Sequence, residues 1–283
     1  MNLKPLVTIV TPSRNMDAFI EDCIKSVREQ SYPYIQHLII DCQSTDITRD
    51  IVERNRNANM TFICEPDSGQ SEAINKGLRF ARGEIFAWLN ADDRLYDRNV
   101  IQDVVAYFKT SDNDVVFGDG VVIDDQGQQI GVYETLPYKK GLLSRQDYLL
   151  QPSTFMKTSL LRSLGGVKES YTWVMDWDLW LRTEKAGAKF SRIDRCLSCE
   201  RLHGNTKTST GGYLREQEII KLMLNHRIPN ATLFLHALRY LGLRLERALP
   251  KNKVVLSLGN FAKRILQRTT SLLRVQVRHF TEM

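Results

Sequence analysis

An α/β fold, a mainly parallel sheet flanked by crossover helices, is what this sequence predicts, and three observations carry the prediction. β-Branched runs and amphipathic stretches alternate as strand, helix, strand, helix, strand, helix, strand before residue 90, the pattern of parallel strands joined by crossovers. The acids and amides gather where these strands end, where sheets of this kind place their ligands. Hydrophobic residues make up 42% and charged residues 25% of 283 residues, the balance of a soluble globular chain.

The elements follow in order. "LVTIVTPS" (6–13) is a β-branched run closed by Pro12, hence a strand. Phe19, Ile20, Cys23, Ile24 and Val27 then recur at helical spacing. "HLII" (37–40) is a second strand ending at Asp41, and Ile47, Ile51 and Val52 mark the next helix. "MTFIC" (60–64) is a third strand, followed by the loop "EPDSGQ" and a helix carrying Ala73, Ile74, Gly77, Leu78 and Ala81, with Gly83 as its stop. "EIFAWL" (84–89) is a fourth strand and runs directly into Asn90-Ala91-Asp92-Asp93. Beyond a helix near 98–108, "DVVFGDG" and "VVIDDQGQQIGVY" read as strands, the second a hairpin turning near Asp125-Gln126-Gly127. "QPSTFM" (151–156) reads as a strand, "TSLLRSLGG" as a short helix, "DWDLWLRTEKAG" as an amphipathic helix ending at Gly187, "KFSRIDRCLSCERLH" as strands, and 213–226 as a helix. Pro229 marks a boundary before the tail.

The net charge of +6 is concentrated in that tail: from Ala231 to Met283, ten Lys or Arg face only Glu246 and Glu282. No apolar run approaches the ~18 residues of a membrane span, and the N-terminus is too short in apolar residues for a signal peptide, so the cytoplasm is the expected location. Five scattered cysteines suit reduced thiols better than a disulfide framework. Cys196 and Cys199 have C-x-x-C spacing with His203 four residues on, but no fourth Cys or His is close, so a zinc site is not expected.

Acids at the end of a buried strand suit a hard divalent cation with oxygen ligands, while Asn90, Asp92 and Asp93 taken alone equally make a turn. The other strand ends break that tie. "TPSRN", "IIDCQSTD", "EPDSGQSEAINKG" and "WLNADD" together resemble, in order and spacing, the nucleotide-sugar-binding half of family 2 glycosyltransferases with the GT-A (Rossmann-like) fold. "QPSTF" and "MDWDLWLR" match the acceptor half, and the resemblance spans roughly residues 5 to 210. It implies a domain over 1–228, with 1–110 the donor half and 111–228 the acceptor half, and a basic amphipathic helical extension over 229–283.

The resemblance implies roles. Thr11 and Pro12 line the nucleotide pocket through the backbone, Asn15 and Ser44 stand with them, and Asp41 accepts a hydrogen bond from the base. Asp67 and Lys76 lie near the nucleotide or its phosphates, although Lys76 equally reads as a solvated helix residue. Asp46 either joins them or caps its helix. "NADD" takes the place of the family's D-x-D motif. Asn90 replaces the first acid and can still bond a ribose hydroxyl, Ala91 sits between, and Asp92 carries Mg2+ or Mn2+, which offsets charge on a leaving diphosphate. His203 is a pyrophosphate or metal contact, and Lys207 is a second candidate for the same anion. Asp176, where the family shows Glu-Asp and this chain Met175-Asp176, is the general base for an inverting attack by a saccharide hydroxyl. Asp178 lies about 200° around the helix from it, since each residue turns ~100°, and is expected to act on the first helical turn. Trp177 either packs or stacks on a sugar.

The implied activity is transfer of a hexosyl or N-acetylhexosaminyl group from a nucleoside diphosphate donor, UDP first, in cell-surface polysaccharide or glycolipid assembly. Asn90 and Met175 leave a nucleotide-binding, non-catalytic relative open as the alternative. A nucleotidyltransferase would want a Gly-rich basic loop after the first strand, where only Arg14 is found. Nucleic acid is not an expected partner, because the basic tail has few aromatics and no recognisable motif.

In that tail Phe234, Leu238, Leu241 and Leu245 form an apolar stripe, with His236, Arg239, Arg244 and Arg247 on the opposite half of the helix. Leu258, Phe261, Ala262, Ile265 and Leu266 repeat the arrangement with Lys263, Arg264 and Arg268. Two readings stand: peripheral docking on an anionic membrane surface, which suits a lipid-linked acceptor, or stripes packed on the protein with the charge solvated.

Overall fold

Val7–Ser13, buried at every position, forms strand β1. It pairs in parallel with an equally buried β2 (Ile35–Asp41), in a register that sets Ser13 beside Asp41. β3 (Met60–Cys64) extends the sheet beyond β2, and β4 (Ile85–Trp88) lies on the other side of β1, all in parallel. Strands buried on both faces need cover on both, and α1 (Ile20–Arg28), α2 (Thr48–Arg54) and α3 (Gln70–Phe80) supply it as crossovers. The computed structural model describes residues 4–110, 112–204, 206–228, 230–248 and 276–279.

The second half adds β5 (Arg94–Leu95), α4 (Val100–Thr110), β6 (Val115–Ile123), β7 (Gln129–Glu134), β8 (Thr154–Lys157), α5 (Thr158–Ser163), α6 (Met175–Lys185) and β9 (Phe190–Arg201). β8 runs antiparallel between β4 and β6 and so joins the halves into one mixed sheet. Along the main path the order is β7-β6-β8-β4-β1-β2-β3, with β9 pairing with both β6 and β5. α7 (Lys207–Thr210), α8 (Gly212–Asn225), α9 (Asn230–Ala248) and an edge strand β10 (Gln276–His279) follow.

Several expectations change. "DVVFGDG" and the start of "VVIDDQG" are one strand, β6, and Leu150 packs closely on its Gly120. A Cβ there would lie 2.2 Å from Leu150 Cδ2. The turn expected near Gly127 is present, with φ 81°. Gly83 is not a left-handed helix stop. It passes close to β1, its N–H donating to Thr8 Oγ1 at 2.9 Å. "QPS" is a single 3-10 turn before β8.

The tail departs further. α9 packs on α8 through its polar side: Glu216, 1% exposed, accepts from His236 Nδ1 at 2.8 Å and pairs with Arg239 Nε at 3.2 Å. Phe234, Leu238 and Leu241 are 62%, 40% and 53% exposed. The apolar stripe therefore faces outward, and two of the residues expected to be solvated hold the helix in place, because a buried carboxylate needs hydrogen-bond donors and a counter-charge, here His236 and Arg239. Nor is the extension helical throughout, since β10 pairs antiparallel with the edge strand β7. The second amphipathic segment, Leu258 to Arg268, lies outside the described residues.

α6 is fixed from two directions. Trp180 stacks on Trp88 of β4, ring centroids 5.8 Å apart. Asp178, fully buried, bonds Lys168 Nζ at 3.0 Å, Arg182 Nε at 2.7 Å and His226 Nε2 at 2.8 Å. Arg182 in turn donates to the carbonyls of Leu164 and Gly166. Asp178 is thus the centre of an ion cluster and not simply a first-turn charge.

Candidate active site

The carboxyl ends of β1 and β4, the start of α3, the first turn of α6 and the end of β9 enclose one cavity of about 650 Å³. Pro12, Asp67, Asn90, Ala91, Asp92, Asp176 and Lys207 all line it. The side chains expected to carry donor and acceptor chemistry therefore share a cleft, although 84 positions separate Asp92 from Asp176 in the chain.

Asn90 is the hub of the strand-end turn. Its Oδ1 accepts from Gln70 Nε2 at 2.6 Å, and its Nδ2 donates to Asp93 Oδ2 at 3.1 Å and Gln151 Oε1 at 3.2 Å. Gln70 Oε1 accepts from Lys207 Nζ at 2.8 Å. An ionised Asp at position 90 has no proton to donate to Gln151, whereas the amide both donates and accepts here. Burial, with Asp92 and Glu200 nearby, pushes the Asp93 carboxyl well above the usual range. Arg201, its side chain 1% exposed, pins the turn. Its N–H donates to Asp93 Oδ1 and its Nε to the Asp92 carbonyl, both at 2.9 Å, and its Nη2 reaches Asp22 at 3.0 Å.

With its backbone held, Asp92 directs its carboxylate at His203, Oδ2 to Nε2 3.1 Å, and the His203 ring leans on Phe19 with centroids 4.7 Å apart. Among the described residues no group of three or more His, Cys, Asp or Glu is arranged to hold a metal ion. A carboxylate on the cleft wall, bonded to an imidazole that is itself outside the cavity lining, still fits Mg2+ or Mn2+, which take one or two protein ligands and complete their shell with substrate oxygens and water.

Asp176 stands in the first turn of α6 and accepts the Trp177 N–H at 2.8 Å. Burial raises its pKa, and the Trp177 N–H, Arg215 and Lys207 only partly oppose this. Burial lowers that of Lys207. Glu200 is pushed up to about 7 by burial and by Asp92 and Asp176. Trp177 does not reach the cavity: it is buried in the core, its indole N–H on the Leu143 carbonyl at 2.8 Å. Trp173 lines the cavity instead.

Thr11, Asn15, Asp41, Ser44 and Lys76 do not line the cavity. Thr11 is buried, its hydroxyl 2.9 Å from His37 Nε2. Asp41, fully buried, accepts the Ser44 N–H at 2.7 Å and the Ser44 hydroxyl at 2.5 Å. That hydroxyl oxygen also accepts the Asn15 N–H at 2.7 Å, and Asn15 takes the left-handed φ of 53° that this turn demands. Asp46 accepts the Thr48 N–H at 3.0 Å, the capping alternative. Lys76 is buried, not solvated; it bonds the Pro66 carbonyl and pairs with Glu72 at 3.3 Å, bracing the loop that carries Asp67. Sequence reasoning missed Gln70, Asp147, Glu200, Arg215 and Tyr133, all on the cavity wall. Gln70 and Glu200 sit within stretches already singled out, whereas Asp147 and Arg215 carry no local signal.

The model of the glycosyl transferase family 2 matches residues 8–164. A putative teichuronic acid biosynthesis glycosyltransferase of Bacillus subtilis, TuaG, is 40% identical over 97 residues, which are 33% of this chain and 38% of that relative. The chain thus spans well under half of that protein's length. Among solved structures, S. aureus TarS in complex with UDP-GlcNAc superposes with a TM-score of 0.66 at 18% identity, over 91% of this chain and 79% of that one. The mannosyltransferase PcManGT from Pyrobaculum calidifontis, in complex with GDP-Man and Mn2+, gives 0.63 at 20% identity, over 96% and 81%. At these identities the structures speak for the fold, a GT-A-type mixed α/β sheet.

Proposed function

The chain belongs to glycosyltransferase family 2, and from that premise we propose that it is an inverting transferase moving a hexosyl or N-acetylhexosaminyl group from a nucleoside diphosphate, UDP first, to a saccharide hydroxyl in cell-surface polysaccharide or glycolipid assembly. One observation carries the reading: Asp92, whose carboxylate bonds His203, and Asp176 line the same cavity of about 650 Å³, a volume typical of a small-molecule site.

Asp92 and His203 would hold Mg2+ or Mn2+, which supplies positive charge to a departing diphosphate. Lys207 lies on the same wall as a cationic contact for that anion, its charge destabilised by burial until an anion arrives. Asp67 faces the donor, and Asn90 presents its turn to the ribose. Beside them Asn15 and Ser44 shape the loop that meets the base, and Asp41 acts through Ser44, whose N–H and hydroxyl it holds. Lys76 acts through the Asp67 loop, and Thr11 and Pro12 act through the β1 backbone. Asp176 takes the proton of the attacking hydroxyl. Its raised pKa makes it a stronger base than a solvated Asp, nearer the working pH. Direct displacement inverts the anomeric centre.

The outward stripe of α9 supports peripheral docking at an anionic membrane, with Arg244 on the flank of that stripe, on the inner face of the membrane if the chain is cytoplasmic. Among the described residues no helix is long and apolar enough to cross a membrane. Residues 1–228 act as the transferase and 229–283 as its attachment.

A thermal-shift series with UDP, GDP and dTDP, with and without Mn2+, tests the donor site. Stabilisation by one diphosphate that grows with Mn2+ is expected; no response to any of them would end the reading.

A further inference from the structure

Asp147 belongs to the irregular stretch between β7 and β8, and the mechanism above does not use it. It lines the cavity, yet its Oδ1 is enclosed and has no hydrogen-bond partner among the described residues. A buried carboxyl oxygen without a donor is costly, and native structures rarely leave one. An orphan on the wall of a ligand cavity is explained by a ligand group that donates to it.

A second orphan stands on the same wall. Trp88, 2% exposed, has an indole N–H without a partner among the described residues, and it too lines the cavity. One orphan acceptor and one orphan donor together suit hydroxyl groups, which both donate and accept.

The charged surroundings narrow the ligand further. Asp147 feels Asp176 and Arg215, and Tyr133 lies within electrostatic reach of Asp147, Glu200 and Asp176. Burial and the neighbouring Asp176 push the Asp147 carboxyl well above its ordinary range. An anionic substituent placed among three acids is repelled, whereas a neutral polyol is not.

We propose that Asp147 is an acceptor-binding residue: it hydrogen-bonds a hydroxyl of the acceptor sugar next to the one that Asp176 deprotonates, and so selects acceptors with two neighbouring free hydroxyls and no negative charge beside them. The proposal rests on the transferase reading above. It concerns which acceptor is held, not how the donor is activated.

The test measures transfer from the best-stabilising sugar nucleotide to a panel of p-nitrophenyl hexosides, together with donor affinity by thermal shift. Asp147→Ala should raise the acceptor KM about 10- to 100-fold, the cost of leaving a buried acceptor hydroxyl without its hydrogen-bond partner, with donor affinity within about twofold. Asp147→Asn keeps an acceptor oxygen and should fall between; it carries the test if the alanine variant fails to fold. A panel member lacking the neighbouring hydroxyl should be a poor acceptor for wild type and no worse for Asp147→Ala. An unchanged acceptor KM in a folded variant, or donor affinity falling in parallel, overturns the proposal. A wild type that neither transfers nor hydrolyses any sugar nucleotide defeats the parent reading instead, as does an Asp176→Asn variant that keeps full turnover.

Discussion

Changing Asp178 to Asn removes one negative charge from a site where Lys168, Arg182 and His226 converge as donors, and the structure sets the size of the effect. Burial alone would raise this carboxyl, but hydrogen bonds from His226, Arg182 and Lys168 hold it at about 2, against an ordinary 3.8. That displacement corresponds to about 2.5 kcal/mol of folding stability. The sign follows from the direction. A carboxyl depressed in the folded state contributes fully above its unfolded pKa near 4, and the contribution is lost as pH falls towards 2. Asp178→Asn should therefore lower the unfolding free energy by about 2–3 kcal/mol at pH 7. The gap from wild type should be about half as large at pH 3. Urea titrations at both pH values give the comparison, since both proteins share every other titrating group. Asp178→Ala should do worse, about 3–5 kcal/mol, because Arg182 is left largely buried without its counter-charge and His226 without its hydrogen-bond partner. An Asn variant within 0.5 kcal/mol of wild type at pH 7, on the order of a neutral surface substitution, or a gap that does not narrow on acidification, would refute the reasoning.

Other consequences are open to measurement. Asp176→Asn should reduce transfer by at least ~100-fold, the usual weight of a general base, with nucleotide affinity nearly intact; undiminished turnover removes Asp176 from that role. Because its pKa is raised, the acid limb of the wild-type rate profile should lie above the range of a solvated Asp, with activity lost as pH falls through it and the base becomes protonated. Asp92→Ala should flatten the Mn2+ dependence of nucleotide binding in calorimetry, and identical metal titrations for variant and wild type would count against Asp92. Leu238→Glu places a charge in the outward stripe of α9 without touching the Glu216 contacts, and should release the protein from anionic vesicles in a flotation assay at unchanged melting temperature. Equal flotation of both proteins would defeat the docking idea.

The alternating elements were legible because each rests on local pattern. "MTFIC" is β3 with no change of boundary, and the acids Asp67 and Asp92 at the strand ends do line the cleft. What escaped depended on partners far away in the chain. The sequence showed that α9 has two faces, but not that Glu216, twenty residues before His236, would draw the polar face inward. Nothing local distinguishes Asp147 or Arg215 from ordinary surface residues, because what makes them notable is the cavity they line.

The succession of β1 to β4 with their crossover helices, the placement of acids at carboxyl ends and the family resemblance were determined by the sequence itself, since hydrophobic period and turn residues act over a few positions. Which of those acids share a cavity, and which are consumed in holding it, was decided only by the tertiary structure. Asp41 and Asp178 are spent on Ser44 and on the Lys168–Arg182–His226 cluster, while Asp92 and Asp176 keep faces on the cleft. The physical reason is that a carboxylate's role depends on burial and on its nearest donors, and in a sheet of crossovers those donors come from residues tens of positions away.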